Sequence, residues 1–550
     1  MPTLNWIGKD KIVNHDKEVP FRLLKKNKQL SLGTAENLIV EGDNLEALKA
    51  LMPFYHGKIK CIYIDPPYNT GNEKWVYNDK VNSPKIREWL GRIVDIEDLT
   101  RHDKWLCMMY PRLKLLRELL VEEGIIFISI DDNEYTNLKI VLNELYGEDN
   151  YLGTIIWQTA TDNNPSQIAI QHEYVLTYAK NKLTQPKWII KNEGARIIQE
   201  RYEILRDKYK KDVEKIQKEL RSWMKENKDS LRGVLHYSYV DGKGVYYPDN
   251  PSNPHPGGYK FKVLHPATKK ICRVPPNGYR WPEGTFNEFL KEGNIEFGEN
   301  ETITPKPKKR LSNAKELLRS VYYEDNRRST NELAELMGKK VFENPKSPRL
   351  IKHLLNFTVS KEDIILDSFA GSGTTGQAVL DLNKEDDGNR KFILVEMEKD
   401  ICRNITAERV RRVAKGYSYK KNGGEAVKAG GLGNGFEYVE LGETLFDSNG
   451  AINQSVSFKD MASYVFFTET HTNLDKNKIK ENYIGEFAGT YYFLLFDGIG
   501  KNILDRNFLK KLKAKEGKKI VYADKCLLDE EILEKHQIIF KQIPYQVTVY

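Results

Sequence analysis

At 550 residues, 40% hydrophobic and 30% charged, the chain exceeds what one hydrophobic core organises, so about two to four domains are expected. Its net charge of +8 is compatible with an anionic partner such as nucleic acid but does not identify one. Five cysteines with no CxxC pair argue against disulfides and a zinc site and fit a reducing cytoplasm, and no apolar run approaches the ~20 residues of a membrane span.

Residues 1–35 are polar and read as an N-terminal arm or short helices. Leu38-Ile39-Val40-Glu41 is a short strand, Gly42-Asp43 a turn, and an amphipathic helix follows to about Tyr55. Asp43 at the strand end is either a ligand-facing carboxylate or a plain helix N-cap. Cys61 to Ile64 reads as a buried strand. It stops at Asp65-Pro66-Pro67-Tyr68 because two prolines forbid further ladder pairing. A carboxylate, a rigid diproline and a ring thus meet at a carboxyl strand end, the edge where open α/β sheets bind ligands.

Residues 69–103 are a polar loop with Trp75, Tyr77 and Trp89. Leu106, Met109, Leu113, Leu116 and Leu120 recur at helical spacing and predict a helix from Trp105 to Glu123. Gly124 ends it, and Ile125–Ile130 is the next strand. A helix from Glu134 to Tyr146 and β runs at Tyr151–Gln158 and Tyr174–Ala179 follow. The alternation predicts a parallel, doubly wound α/β sheet.

Composition changes over 186–335, which is lysine-rich. Arg201 to Lys228 reads as one long charged helix. Tyr246-Tyr247-Pro248, Gly257-Gly258-Tyr259-Lys260 and Tyr279-Arg280-Trp281-Pro282 interleave rings with basic groups, a pattern suited to nucleic acid. Lys306-Pro307-Lys308-Lys309-Arg310 is a further basic cluster or a solvated linker.

Alternation resumes at 336–415. Asn344-Pro345-Lys346-Ser347-Pro348 leads into a helix. Ile364–Phe369 is a strand, Ala370–Gly376 a glycine-rich turn, Lys391–Glu396 a strand and Asp400–Ala414 a basic helix. Residues 416–436 read as a glycine-rich linker, including Gly423-Gly424. The remainder to 550 reads as a separate C-terminal domain with β runs at Tyr491–Phe496, Lys519–Tyr522 and Ile538–Phe540.

The turn Gly371-Ser372-Gly373-Thr374-Thr375-Gly376 matches G-x-G-x-x-G, which alone suggests a dinucleotide site and an oxidoreductase. No lysine follows, so it is not a Walker A loop. Asp367 four residues before the first glycine and two threonine hydroxyls suit a ligand without phosphate, such as S-adenosylmethionine. Glycines admit its amino-acid moiety, Asp367 meets its ammonium, Glu396 at the next strand end takes its ribose hydroxyls, and Asp43 accepts from its adenine amino group.

The pair DPPY and FAGSGTT resembles the amino-methyltransferases that modify adenine N6 in DNA. DPPY precedes the glycine loop by about 300 residues, the order of their permuted β class, in which a target-recognition domain lies between. Glu41-Gly42-Asp43-Asn44, Ile130-Asp131-Asp132, His172-Glu173-Tyr174, Asn344-Pro345-Lys346, Val395-Glu396 and Ile520–Lys525 extend the resemblance to Mod subunits of Type III restriction–modification systems. It implies a circularly permuted, Rossmann-like methyltransferase sheet with an inserted recognition domain (186–335) between halves at 36–185 and 336–415, and a C-terminal α+β domain. It implies S-adenosylmethionine as methyl donor and double-stranded DNA as substrate. It also implies a homodimer and a separate restriction (Res) helicase–nuclease partner. Lys346 would help close the donor pocket, and Phe369, Gly371, Ser372, Gly373, Thr374 and Thr375 would complete it.

An exocyclic amine is a poor nucleophile because its lone pair is delocalised into the ring. Two acceptors aimed at its hydrogens, the Asp65 carboxylate and the Pro66 carbonyl fixed by Pro67, favour a tetrahedral nitrogen. Tyr68 would stack on a base flipped from the duplex. Cytosine C5 chemistry needs a cysteine nucleophile, which in that family usually follows proline, and none of the five follows one. Cytosine N4 enzymes usually carry serine at the position of Asp65, so the aspartate favours adenine. The alternatives are an orphan adenine methyltransferase, a cytosine-N4 enzyme, or a non-catalytic recognition module.

Overall fold

The computed structural model describes residues 3–33, 36–71, 101–159, 167–210, 212–231, 233–420, 426–447, 449–497, 501–512 and 516–543. Trp75, Tyr77, Trp89 and Gly423-Gly424 lie outside them. The chain forms two compact units, one of Met1–Pro186 with Arg319–Tyr550 and one of Lys187–Leu318.

The first unit is built on a ten-stranded sheet. In chain order its strands are β1 (Arg22–Lys26), β2 (Leu38–Glu41), β3 (Ile59–Ile64), β4 (Leu120–Ile130), β5 (Tyr151–Gln158), β6 (His172–Ala179), β7 (Val321–Tyr323), β8 (Ile364–Asp367), β9 (Lys391–Glu396) and β10 (Glu437–Thr444). Across the sheet they run β1-β10-β2-β9-β8-β3-β4-β6-β5-β7. From β10 to β4 all neighbours are parallel. Helices Asn44–Tyr55, Arg101–Leu119 and Tyr135–Tyr146 form one covering layer. Pro348–Thr358, Thr374–Asp386 and Ala407–Lys415 form the other. The fold is thus α/β and doubly wound. Covering on both faces explains why β3 and β8 are apolar runs rather than alternating ones. In β3, Ile59, Cys61, Ile62, Tyr63 and Ile64 are all buried.

The pairing of β3 with β8 positions the site. Cys61 lies opposite Ile365 and Ile62 opposite Leu366 in parallel register. Segments about 300 residues apart in sequence therefore end side by side, with DPPY leaving one strand and the glycine loop leaving the other.

Four expectations are corrected. The sheet is mixed, because β6 runs antiparallel to both β4 and β5. The sequence between β5 and β6 carries no helical apolar period, so it gives no signal for the crossover that a parallel return needs. The helix before β4 spans Arg101–Leu119, because Leu120 already pairs with Ile59 ahead of an irregularity in the ladder. The long charged helix is two, Glu193–Tyr209 and Val213–Glu226, broken where Lys210 takes a left-handed φ of 58° and Asp212 caps the second helix. The linker at 416–436 instead contains an antiparallel ribbon, Gly416–Lys420 with Ala426–Gly430. Beyond it β10 enters the main sheet, so the chain at 416 is not a break in packing. Leu445, Met461, Ile484, Ile520 and Tyr522 join the same hydrophobic core.

In the second unit, much of the basic and aromatic character is turned inward. Lys306–Arg310 is a strand. Lys308 and Arg310 both pair with Asp241, and both lie over the Tyr246 ring. Tyr279 is fully buried and stacks on Phe261. Tyr259, Lys260, Lys262 and Arg273 remain exposed.

Candidate active site

Where β3 and β8 end, the first unit encloses a cavity of about 650 Å³, within the range of small-molecule sites. Asp65, Pro66 and Tyr68 line it, as do Lys346, Asp367, Phe369, Gly371, Ser372, Thr374 and Thr375. Ten of the fourteen residues singled out in the sequence thus face one space.

The DPPY turn is fixed from behind. The Trp105 indole donates to the Pro67 carbonyl at 2.6 Å. Asn69, at a left-handed φ of 60°, donates to the Arg101 carbonyl at 3.1 Å and to buried Glu134 at 2.5 Å. Pro67 is therefore bound inward, while Pro66 is part of the cavity wall.

Asp65 sits in a charged cluster. The Tyr68 hydroxyl lies 2.9 Å from Asp65 Oδ1 and 2.8 Å from Glu173 Oε2. Lys346 Nζ donates to the Tyr68 oxygen at 2.6 Å and to Glu173 at 2.5 Å, and lies 3.3 Å from Asp65 Oδ1. Lys346, expected on the donor pocket, thus stands beside Asp65 and Tyr68. Burial raises the Asp65 pKa and Glu173 adds to it, against the opposing Lys346 charge. Burial works against the Lys346 ammonium, but Asp65 and Glu173 together hold its pKa above the usual lysine value. Burial and the two carboxylates hold the Tyr68 phenol far above its usual range.

Glu173 was not singled out as a site residue. Its signals in the sequence are an acid near the start of β6 and its place in His172-Glu173-Tyr174, one of the segments that carry the resemblance, but its partners Tyr68 and Lys346 lie 105 and 173 residues away.

The glycine loop is preorganised. Gly371 and Gly373 take left-handed φ values of 50° and 78°, and a Cβ on Gly373 would stand 3.1 Å from the Thr406 carbonyl. The Gly371 N–H donates to Glu396 at 2.8 Å, and the Thr406 hydroxyl donates to the Gly371 carbonyl at 2.6 Å. Arg409, also not singled out, lies buried beneath the loop. It donates to Ser372 Oγ and Thr374 Oγ1, each at 2.8 Å, and to Gln377 at 2.9 Å.

Asp367 is buried and accepts from the Thr375 hydroxyl at 2.5 Å and the Phe369 N–H at 3.0 Å. Burial lifts its pKa to about 7. Its folded-state pKa exceeds the unfolded one, so its contribution to stability is full at acid pH and lost as pH rises through about 7.

Asp43, Glu396, Gly373 and Pro67 are not on the cavity wall. Asp43 caps the helix after β2, accepting from the Leu45 and Glu46 N–H groups, and pairs with buried Arg112 at 3.2 Å. Glu396 accepts from the Gly371 and Glu398 N–H groups. Both carboxylates shape the turns that bear the site.

Residues 59–408 match the DNA methylase family N6_N4_Mtase. The Type III restriction–modification enzyme EcoP15I Mod subunit from Escherichia coli is 37% identical over 427 residues, covering 72% of this chain and 64% of that protein. The StyLTI Mod subunit from Salmonella typhimurium is 31% identical over 71% of this chain and 56% of its own length. The chain thus spans less than two thirds of either Mod subunit. The Type II methyltransferase M.KpnI from Klebsiella pneumoniae is 30% identical over 68% of this chain and 84% of its own length.

Proposed function

Because this chain belongs to the N6_N4 DNA methylase family, we propose that it transfers a methyl group from S-adenosylmethionine to N6 of an adenine flipped out of double-stranded DNA. In this reading it is the modification and DNA-recognition subunit of a Type III restriction–modification system, active as a homodimer in the cytoplasm alongside a separate restriction subunit. One observation carries the catalytic part: β3–β8 pairing brings DPPY and the glycine loop onto a single cavity. The similarity to Mod subunits supports the system, and an aspartate rather than serine at position 65 supports adenine.

The residues fit the donor. Gly371, on the wall, leaves room for close backbone approach, and Asp367 is a buried carboxylate on the wall, suited to an ammonium. Phe369, Ser372, Thr374 and Thr375 supply the surrounding wall. When bound, S-adenosylmethionine supplies an electrophilic methyl group. Asp65 and the Pro66 carbonyl accept from the adenine amino hydrogens, turning its lone pair toward that methyl, and Tyr68 stacks on the base, worth about 1–3 kcal/mol. Holding nitrogen and methyl in line supplies much of the remaining acceleration.

Sequencing that reads modified bases, on DNA from a host expressing the chain, tests the reading. N6-methyladenine at one short recurring sequence is expected; methylcytosine, or no modification, would sink it. S-adenosylmethionine should also raise the melting temperature of the isolated protein while NAD does not. The opposite pattern would return the loop to a dinucleotide site. A stand-alone adenine methyltransferase is the second reading, favoured by the match to most of M.KpnI.

Donor binding requires the Asp367 carboxylate. Below about pH 7, donor affinity is expected to fall about tenfold per pH unit and to level off above it. Calorimetric titration across this range reads the slope, and a flat profile would remove Asp367 from donor binding.

The unit Lys187–Leu318 reads the DNA sequence in this proposal, with exposed Tyr259, Lys260, Lys262 and Arg273 as contacts. Its deletion is expected to keep donor binding and lose site-selective methylation. An unchanged set of methylated sites would place recognition elsewhere.

A further inference from the structure

Asp65, Glu173 and Lys346 put two carboxylates against one ammonium, bridged by the Tyr68 hydroxyl. With all three ionised the cluster carries one negative charge, and one added proton makes it neutral. Methyl transfer to an amino group releases one proton. As the N–C bond forms and the C–S bond breaks, the electron pair of that bond stays on sulfur and the nitrogen is left with one hydrogen too many.

We propose that Glu173, held by Lys346, is a positioning residue that shares with Asp65, through the Tyr68 hydroxyl, the proton the amino group gives up. The inference rests on the methyl-transfer reading. Asp65 takes the proton from nitrogen. The path then runs 2.9 Å to the Tyr68 oxygen and 2.8 Å on to Glu173 Oε2. The Glu173 side chain is 24% exposed on the cavity and returns the proton to water. Lys346 neutralises one carboxylate throughout, so the buried site never holds two uncompensated charges.

Besides Arg327, which pairs with Asp325, and Glu343, which pairs with Lys340, the titratable groups on the same cavity are Tyr63, Asp131, His172 and Asp367. Three are engaged: Asp131 accepts from Asn133, Asp367 accepts from Thr375, and Tyr63 bonds Ser129. The His172 ring meets Tyr174.

The test compares wild type, Glu173→Gln and Lys346→Met in methyl transfer to unmethylated genomic DNA across pH. Glu173→Gln is expected to slow the saturated rate about 10²-fold. Its acid limb should move about one unit lower, because Asp65 loses a like charge. Lys346→Met should move that limb higher, because Asp65 loses its counter-charge. Glu173→Asp should restore part of the rate.

A second readout uses donor-free protein. Acylation of Lys346, followed by mass spectrometry, should run about tenfold faster in Glu173→Gln, since the ammonium loses a carboxylate partner and deprotonates more readily. Limbs that stay at the wild-type pH, or move the same way in both variants, together with unchanged acylation, would reduce the cluster to a structural ion pair. If wild type transfers no methyl group at all, the reaction reading fails first and takes this proposal with it.

Discussion

Asp65→Asn is expected to lower methyl transfer by about 10²–10³ while the donor binds with near wild-type affinity. Asparagine matches the aspartate in shape and still offers one carbonyl oxygen. It loses the negative charge facing the amino hydrogens, and its amide can present N–H where an acceptor is required. Donor affinity is preserved because the donor wall is built on β8 and the glycine loop; the Asp65 charge reaches it by raising the Asp367 pKa, and removing that charge favours the Asp367 carboxylate. The same substitution should not destabilise the fold. Burial raises the Asp65 pKa, so ionising it at neutral pH costs stability, and Lys346 keeps Glu173 at 2.5 Å. A melting temperature equal to or above wild type together with a collapsed rate is the signature of a group kept for chemistry at the expense of stability. A rate within a few-fold of wild type would remove Asp65 from the mechanism.

The sequence made this catalytic half legible because its chemistry is contiguous. DPPY and the glycine loop each hold several functional groups within a few residues, next to an apolar strand that fixes their place in the sheet. What stayed hidden depends on pairs distant in sequence. Nothing near Glu173 marks it as a partner of Tyr68 and Lys346, and nothing near Trp105 marks it as the anchor of Pro67. Side-chain chemistry without tertiary context also misled over the insert. Tyr246 belongs to a basic–aromatic pattern suited to nucleic acid, and Lys308 and Arg310 to a cluster that reads as basic surface or solvated linker, yet Asp241 pairs with both cations, Glu296 stands 3.4 Å from Lys308 as a second acid, and both cations lie over the Tyr246 ring within the unit. A basic–aromatic pattern reports composition, and only a count of opposing acids separates an interface from an internal network. Asp43 shows the same limit: a strand-end carboxylate serves equally as ligand group or helix cap, and here its oxygens are bound by the Leu45 and Glu46 N–H groups and by Arg112.

Arg409 is where distant placement should have a large measurable effect. Its guanidinium is buried, at 2% exposure, and burial lowers its pKa to about 10, with Asp381 and Glu332 opposing. Its return is geometric: it joins the hydroxyls of Ser372 and Thr374 to Gln377, one turn into the helix that follows. Arg409→Met fills similar space but donates nothing, leaving the two hydroxyls and the Gln377 oxygen to find other partners. Unsatisfied buried groups cost about 1–3 kcal/mol each, though hydroxyl rotation should recover part of that. The expected result is a loss of about 2 kcal/mol of stability and a donor affinity weakened at least about tenfold, because the loop backbone must be held open before the donor arrives. Arg409→Lys is the sharper test. It keeps the charge, but a single ammonium cannot span three acceptors in the plane of a guanidinium, so donor affinity should stay low even where stability partly returns. Calorimetric donor titration and thermal unfolding of both variants separate the two effects. If lysine restores donor affinity in full, positive charge alone holds the loop and the planar fork is irrelevant.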